Sequence, residues 1–305
     1  MAGSPSIANT TTNPPTLKGE LITFLCKMKS ENYSDDTIER YERALVTLAK
    51  RGADLLNIES IKTTIANQQC SNGTKQSSRS AATLFLQYHG IQPNLPKYQQ
   101  IRKMAFIPLE NELDQLISGN KHQMATFLQT LKETAARFGE ALDLKWTDLN
   151  TETNAISITP EKGSNPRSIK VSNKLMIMLN TLPRDKTKIF GYTSKKSARN
   201  NFVRARSRIA KNLCNPRIKQ IHFHTFRHWK ATMELHRTNN VYAVMKMLGH
   251  KSLSNTQIYI GLLPDLSDDF VCEVATTPQE IIKLITNDFE KVTEMNGQQF
   301  FRKRK

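Results

Sequence analysis

Apolar residues recur at helical spacing through most of the chain. Leu21, Leu25 and Met28 share one face of a first segment, and Ile38, Tyr41, Leu45 and Leu48 share one face of a second. Ser34 stands where an N-cap belongs for that second helix, and Asp35 and Asp36 suit its positive first turn. Ile58, Ile61 and Ile65 predict a third, shorter helix. Ala81, Leu84, Phe85 and Tyr88 predict a fourth, with CSNGTKQSSR read as a polar loop between them. Residues 17–97 thus read as one helical domain. Residues 1–16, rich in Ser, Thr, Asn and Pro, read as a disordered leader.

The stretch GIQPNLPKYQQIRKMAFIP has three prolines and several cations, and its later part, 98–108, is read as a linker. Helical spacing returns in LENELDQLIS and in Met124, Phe127, Leu128 and Leu131. AISITP and RSIKVS are short β-type runs around EKGSNP, which predicts a hairpin with Lys162 at its turn. A basic helix over 194–213 would face Phe202, Ile209 and Leu213 inward and Arg204, Arg208 and Lys211 elsewhere. Helices over 224–237 and 241–248 follow, then a short one capped by Ser254 that carries Tyr259 and ends before Pro264. FVCEVAT is strand-like, TPQEIIKLITNDF helical, and EKVTEM and QQFFRKRK flank an Asn296-Gly297 hairpin signal. The expected fold is mainly α with a small β-sheet. It comprises a helical domain, an α+β domain over 109–269, and a strand-helix-hairpin extension with a basic tail over 270–305.

Charge narrows the function. Lys plus Arg number 44 against 27 Asp plus Glu, a net +17, so the partner expected is a polyanion, nucleic acid before an acidic membrane surface. No run approaches the roughly 18 apolar residues of a membrane span, and the N-terminus lacks the pattern of a secretory signal. Cys26, Cys70, Cys214 and Cys272 are far apart, without C-x-x-C spacing, which argues against a zinc ribbon or a disulfide framework and fits a reducing cytoplasm. His224 and His228 have the spacing of zinc ligands, but no further ligand follows at a usual distance. His228 is read instead as a buried, hydrogen-bonded structural residue, and Trp146 and Trp229 as packing residues. There is neither a G-x-x-x-x-G-K-[ST] loop nor an acidic cluster of the two-metal kind, so no cofactor or metal is expected.

The segment richest in chemistry is IHFHTFRHWKATMELHRTNNVYAVMKMLGHKSLSNTQIYIG. His224 and Arg227 stand one helical turn apart on one face. Leu248-Gly249-His250 follows, with glycine as a helix stop that presents the histidine. Tyr259 comes nine residues later.

In type, order and spacing these residues resemble the tyrosine recombinase (phage integrase) family, which shares its catalytic fold with type IB topoisomerases. Upstream, TAARFGEALDLKW looks like the segment of the family's first arginine, here Arg137, with an acid three residues on, Glu140. The family's hairpin lysine maps to Lys162. The resemblance is close over roughly 109–262. Over 17–97 it is architectural, to a core-binding domain that clamps DNA, and the tail resembles extensions on some archaeal members.

The resemblance implies cleavage and rejoining of DNA through a 3′-phosphotyrosine. Tyr259 is the implied nucleophile, Arg137 and Arg227 the clamp on the nonbridging oxygens, and His250 a further donor. His224 is implied to accept the phenol proton or to orient the phosphate, Lys162 to be the acid for the leaving 5′ oxygen, and Glu140 to orient Arg137 or His224. Lys75, Arg79, Lys195, Lys196, Arg199, Arg204 and Arg208 are candidate DNA contacts. The implied assembly is a homotetramer on two double-stranded DNA duplexes bearing a specific recombination site, in the cytoplasm with the nucleoid. Its role would be integration or excision of a mobile element, or Xer-type resolution. A type IB-like topoisomerase and a DNA-binding regulator descended from a recombinase are the alternatives. The sequence departs from the family after the tyrosine, where Pro264, Asp265, Asp268 and Asp269 interrupt the helix that docks on a neighbouring protomer. The expectation is that residues 270–305 supply or regulate that contact, the alternative being that the contact is absent.

Overall fold

The computed structural model describes residues 17–100, 103–161, 163–260, 270–287 and 289–304, and the leader, Lys162 and the Pro264 segment lie outside them. It divides into two compact units, Met1–Lys103 and Met104–Lys305.

In the first unit the predicted apolar faces form α1 (Leu17–Ser30), α2 (Asp35–Lys50), α3 (Ile58–Ala66) and α4 (Asn72–Tyr88). Leu21, Met28, Leu45, Leu48, Ile61, Ile65, Ala81 and Phe85 are buried in one core, where Phe24 meets Phe85 edge to face at 5.2 Å. The Asn57 side chain accepts from the N–H groups of Glu59 and Ser60 and starts α3. Ser34 precedes α2 as expected, but its hydroxyl pairs with Thr37 Oγ1 at 2.9 Å instead of capping a backbone N–H. The CSNGTKQSSR stretch is not a loop. Ser71 accepts from Thr74 N–H, so α4 begins at Asn72 and most of that polar run is helix.

The second unit is built around α6 (His122–Thr134), which follows α5 (Glu110–Ser118) and is buried on nearly all sides. Phe127 on α6 meets Phe138, Phe190 and Phe223 edge-on within 6 Å. Next come α7 (Phe138–Leu142), a 3-10 turn at Trp146–Asp148, and an antiparallel sheet of β1 (Leu149–Asn150), β2 (Ala155–Ile158) and β3 (Arg167–Lys170). The β2–β3 hairpin pairs Ile158 with Arg167. Then follow α8 (Asn173–Asn180), α9 (Lys195–Asn212), a 3-10 turn at Pro216–Gln220, α10 (Phe223–Thr238), α11 (Val241–Leu248) and α12 (Ser254–Gln257). Phe202 and Ile209 of α9 face inward, but Leu213 is its exposed C-cap, because the chain turns there.

The last described segments are β4 (Phe270–Ala275), α13 (Pro278–Thr286), β5 (Glu290–Met295) and β6 (Gln298–Arg304), with β6 central in the antiparallel order β4-β6-β5. Asn296 and Gly297 take φ of 51° and 76°, the two left-handed residues of a tight hairpin. Thr277 and Glu280 form a capping box with Pro278 at the first helical position. Ala275, Leu284 and Phe301 form a small core, backed by Ile281 and Phe289.

Candidate active site

Two helix ends set the first arginine. Ala135 stops α6 in the left-handed region at φ 52°, and two residues later Arg137 sits at the N-cap of α7. Glu140 reaches back as a capping box acid: its Oε2 accepts from Arg137 N–H at 2.8 Å, and its Oε1 accepts from Arg137 Nη1 at 2.8 Å. Arg137 Nη1 also donates to Ser164 Oγ at 2.5 Å, which ties it to the hairpin turn. The Glu140 carboxylate has no solvent exposure and accepts from Arg167 Nη2 at 2.6 Å. Burial alone would raise its pKa. Hydrogen bonds from Arg167 and the Arg137 N–H prevail and hold it at about 2.

The second arginine is deeper. Arg227, on α10 one turn after His224, is fully buried. Its Nη1 donates to Ala135 O at 2.6 Å and its Nη2 to Leu248 O at 2.6 Å, joining the end of α6 to the end of α11. No carboxylate among the described residues forms an ion pair with it. Burial, reinforced by Arg137 and Arg167, lowers its pKa to about 10.

Gly249 takes φ 68° and ends α11, as its position after an apolar helix predicts. That turn places His250 Nε2 at 3.0 Å from Arg227 Nη2, and His250 Nδ1 at 2.9 Å from Thr256 Oγ1. A guanidinium only donates, so Nε2 accepts and the imidazole proton sits on Nδ1, donating to Thr256. Burial, then the neighbouring Arg227, Arg137 and Arg167, lower the His250 pKa to about 4. His224 keeps one side open to solvent. The desolvation of its other side, then His228 and Arg227, lower it to about 4 as well.

Tyr259 is 1% exposed, packed with Ala231, Leu235, Val244 and Leu248. Burial pushes its phenol up, and Arg227 and Arg137 offset only part of this. It does not lie inside a capped helix as the sequence suggests. Leu253 is the N-cap of α12, Ser254 bonds Ser252 Oγ, and the helix ends at Gln257, leaving Tyr259 in the following turn with its N–H on Thr256 O.

Arg137, Glu140, Arg227, His250 and Tyr259 are therefore linked through contacts and shared fields, with His224 one turn before Arg227 on α10. Lys162 lies outside the described residues. Arg167 was missed by sequence reasoning. It is buried on the inward face of β3, two residues before half-buried Ile169, and a cation at an inward strand position was the available signal. Three guanidiniums, of Arg137, Arg167 and Arg227, against the single carboxylate of Glu140 leave a surplus of two positive charges. His228 is half-buried, its ring 4.5 Å from His224 and 5.6 Å from Tyr259. Its Nδ1 has no partner, contrary to the expected hydrogen-bonded role. Among the described residues no group of three or more His, Cys, Asp or Glu is placed to hold a metal ion.

The candidate DNA contacts differ in their local surroundings. Lys195 pairs with Glu161 at 3.0 Å beside the hairpin turn, Lys196 is exposed next to it, and the Arg199 guanidinium stacks 4.9 Å from the Phe138 ring. Arg204 and Arg208 line a separate cleft of about 370 Å³ with Lys121, and Arg208 donates to Gly119 O. In the first unit, Lys75 donates to Ala66 O and Arg79 to Leu95 O, so both are tied to their own backbone.

The pattern that defines the phage integrase family matches residues 109–264, just over half of the 305 residues. The chain belongs to the phage integrase family. It is 28% identical to the tyrosine recombinase XerA of Pyrococcus furiosus over 77% of this chain and 80% of that protein. It is 27% identical to a tyrosine recombinase of Thermosipho africanus over 52% of this chain and 58% of that one. A lambda integrase dimer bound to a COC′ core site is similar in fold, with a TM-score of 0.64, 14% identity, and coverage of 81% of this chain and 77% of that one. The integrase-family chain is a tyrosine recombinase by enzyme class, with the mainly helical fold and small antiparallel sheets of that family.

Proposed function

We propose that this integrase-family protein is a site-specific recombinase that cuts and rejoins double-stranded DNA through a 3′-phosphotyrosine at Tyr259. The observation that carries the reading is the surplus of two positive charges beside a buried tyrosine. A phosphodiester brings one negative charge to such a pocket, and its five-coordinate transition state adds a second on the nonbridging oxygens. Arg137 and Arg227 then use N–H groups in fixed planes to hold those oxygens, which lysine could not do.

In the forward step the Tyr259 oxygen bonds to phosphorus and the bond from phosphorus to the 5′ oxygen breaks. The phenol proton passes to His224, which is neutral at pH 7 because its pKa is lowered to about 4. Lys162 gives a proton to the departing 5′ oxygen. His250 reaches a nonbridging oxygen through Nε2 once the incoming anion competes with it for Arg227 and favours its protonated form. Rejoining reverses these transfers, and the tyrosine ester keeps the energy of the broken bond, so no nucleotide is consumed.

The relatives support a DNA substrate and an assembly. The lambda integrase structures are bound to a core site and, as a tetramer, to a Holliday junction. By analogy this protein would act as a homotetramer on two duplexes, in the cytoplasm, for integration, excision or Xer-type resolution. The test is a nicked suicide duplex analysed on a denaturing gel. The wild type should form a covalent protein–DNA species. Tyr259→Phe should bind the duplex and form none, and a covalent product from the Phe variant would overturn the assignment.

A further inference from the structure

Arg167 occupies a seam that none of the assigned roles explains. Its side chain is 3% exposed, and among the described residues only its Nη2 has an acceptor, Glu140 Oε2. Nε and Nη1 are buried without partners among the described residues. Such a half-satisfied guanidinium adds little to stability, since an apolar side chain of similar length would fill the space without the cost of desolvating a charge. Its value must lie in what it holds.

Three segments meet on it. The first is the start of α7, where Glu140 grips Arg137 through both its backbone and its guanidinium. The second is the hairpin turn, where Glu161 N–H points to Glu140 Oε1 at 3.4 Å and Ser164 Oγ accepts from Arg137. The third is the turn before His250. There Asn165 N–H donates to Gly249 O at 2.9 Å, and a Cβ on Gly249 would lie 3.2 Å from Arg167 Nη1. The tightest approach there is the Asn165 carbonyl, 2.7 Å from such a Cβ, with Arg167 packed beside it. The first segment carries Arg137 and the third His250, both implied phosphate ligands, and in sequence the second spans Lys162, the implied acid for the leaving oxygen.

We propose that Arg167 is a positioning residue for the phosphate pocket, acting through Glu140 to hold Arg137 and the hairpin in register with the Gly249–His250 turn. The inference rests on the recombinase reading above. Arg167 is not itself a phosphate ligand, because its free N–H groups are sealed from solvent and a nonbridging oxygen has no path to them.

The experiment measures single-turnover covalent complex formation on the suicide duplex, with equilibrium DNA binding measured alongside. The full-length proteins compared are wild type, Arg167→Met, Arg167→Lys, Glu140→Gln and the Glu140→Gln/Arg167→Met double variant. Displacement of one clamp element by about 1 Å is worth on the order of a hundredfold, so Arg167→Met should slow cleavage about ten- to a hundredfold while the Kd for DNA changes less than about threefold. Arg167→Lys, which keeps a charge and a donor, should recover part of the rate. In the Glu140→Gln background, removing Arg167 should cost less than about threefold more, because both act along one path. The double variant carries no unpaired buried charge from this pair. It therefore decides the question with Arg167→Lys if Arg167→Met does not fold. Wild-type cleavage by Arg167→Met, or by the Lys variant where Met does not fold, would overturn the proposal. So would defects that multiply in the double variant, or a loss of binding that matches the loss of rate. A wild type that forms no covalent complex at all is a different failure: it removes the recombinase reading itself.

Discussion

Replacing Glu140 by Gln tests the electrostatics of the site through stability alone. The carboxylate is completely buried and takes hydrogen bonds from the Arg137 N–H, the Arg137 guanidinium and the Arg167 guanidinium. Its pKa falls from an ordinary 4.5 to about 2 on folding. At about 1.4 kcal/mol per pH unit, that interval is worth roughly 3 kcal/mol to the folded state at neutral pH, in line with the cost of breaking a buried ion pair. The contribution is complete above pH 4.5 and is lost as the pH falls toward 2, where the folded carboxyl takes up its proton. Glutamine keeps the shape but turns one acceptor into an NH₂ facing a guanidinium. The assay is urea unfolding followed by tryptophan fluorescence, which reports on the second unit because Trp146 and Trp229 both lie there. Other carboxylates titrate too, Glu112 and Glu234 among them, so the informative quantity is the difference between wild type and variant. That difference should be about 3 kcal/mol at pH 7 and should shrink steadily below pH 4.5. A difference under about 1 kcal/mol, or one that does not change with pH, would refute the reasoning.

Gly249→Ala should destabilise the second unit by about 2 kcal/mol or more, since a left-handed alanine costs roughly 1 kcal/mol before any clash. Its Cβ would lie 2.7 Å from Asn165 O, so the hairpin must shift and cleavage should fall with stability. Affinity for duplex DNA should drop steeply between 50 and 200 mM salt, by roughly a thousandfold for about six neutralised phosphates, and a flat salt response would exclude counterion release as the driving term. Deleting residues 270–305 should spare covalent complex formation on one duplex better than resolution of a four-way junction. The deletion removes α13, whose Ile282 and Ile285 are 63% and 59% exposed while Ile281 and Leu284 are used inside the module. Equal retention of both activities would show that the module has no part in assembly.

Periodicity located the helices well because each buries one face, and the Leu248-Gly249-His250 turn was legible because glycine serves both a helix stop and a close approach. What escaped notice depended on partners distant in the chain. Arg167 is one cation of the RSIKVS run, and nothing within that run shows that it meets Glu140, 27 residues earlier. The α4 start was misread because Ser and Gly are loop-like by composition, yet Ser71 turns them into a capped first turn. Leu213 matched the inward spacing of α9 but fell one residue beyond its last turn. His228 is half-buried beside His224 and Tyr259, and no local pattern reveals that its Nδ1 lacks a partner among the described residues.

The bonds that build the pocket also set when it can exist during synthesis. Arg227 is fixed by a carbonyl 92 residues before it and another 21 residues after it. The hairpin is fixed to a turn that follows it by more than eighty residues, through Asn165 and Gly249. On the ribosome, Arg137, Glu140 and Arg167 emerge first, while the Leu248 carbonyl that seats Arg227 and the phenol of Tyr259 come at the far end of the domain. On the proposed recombinase reading, a nascent chain would therefore carry much of the basic surface before it could cut. On the proposed reading, the nucleophile emerges only after every described residue assigned to the clamp. On that reading, order of synthesis would act as a safety catch.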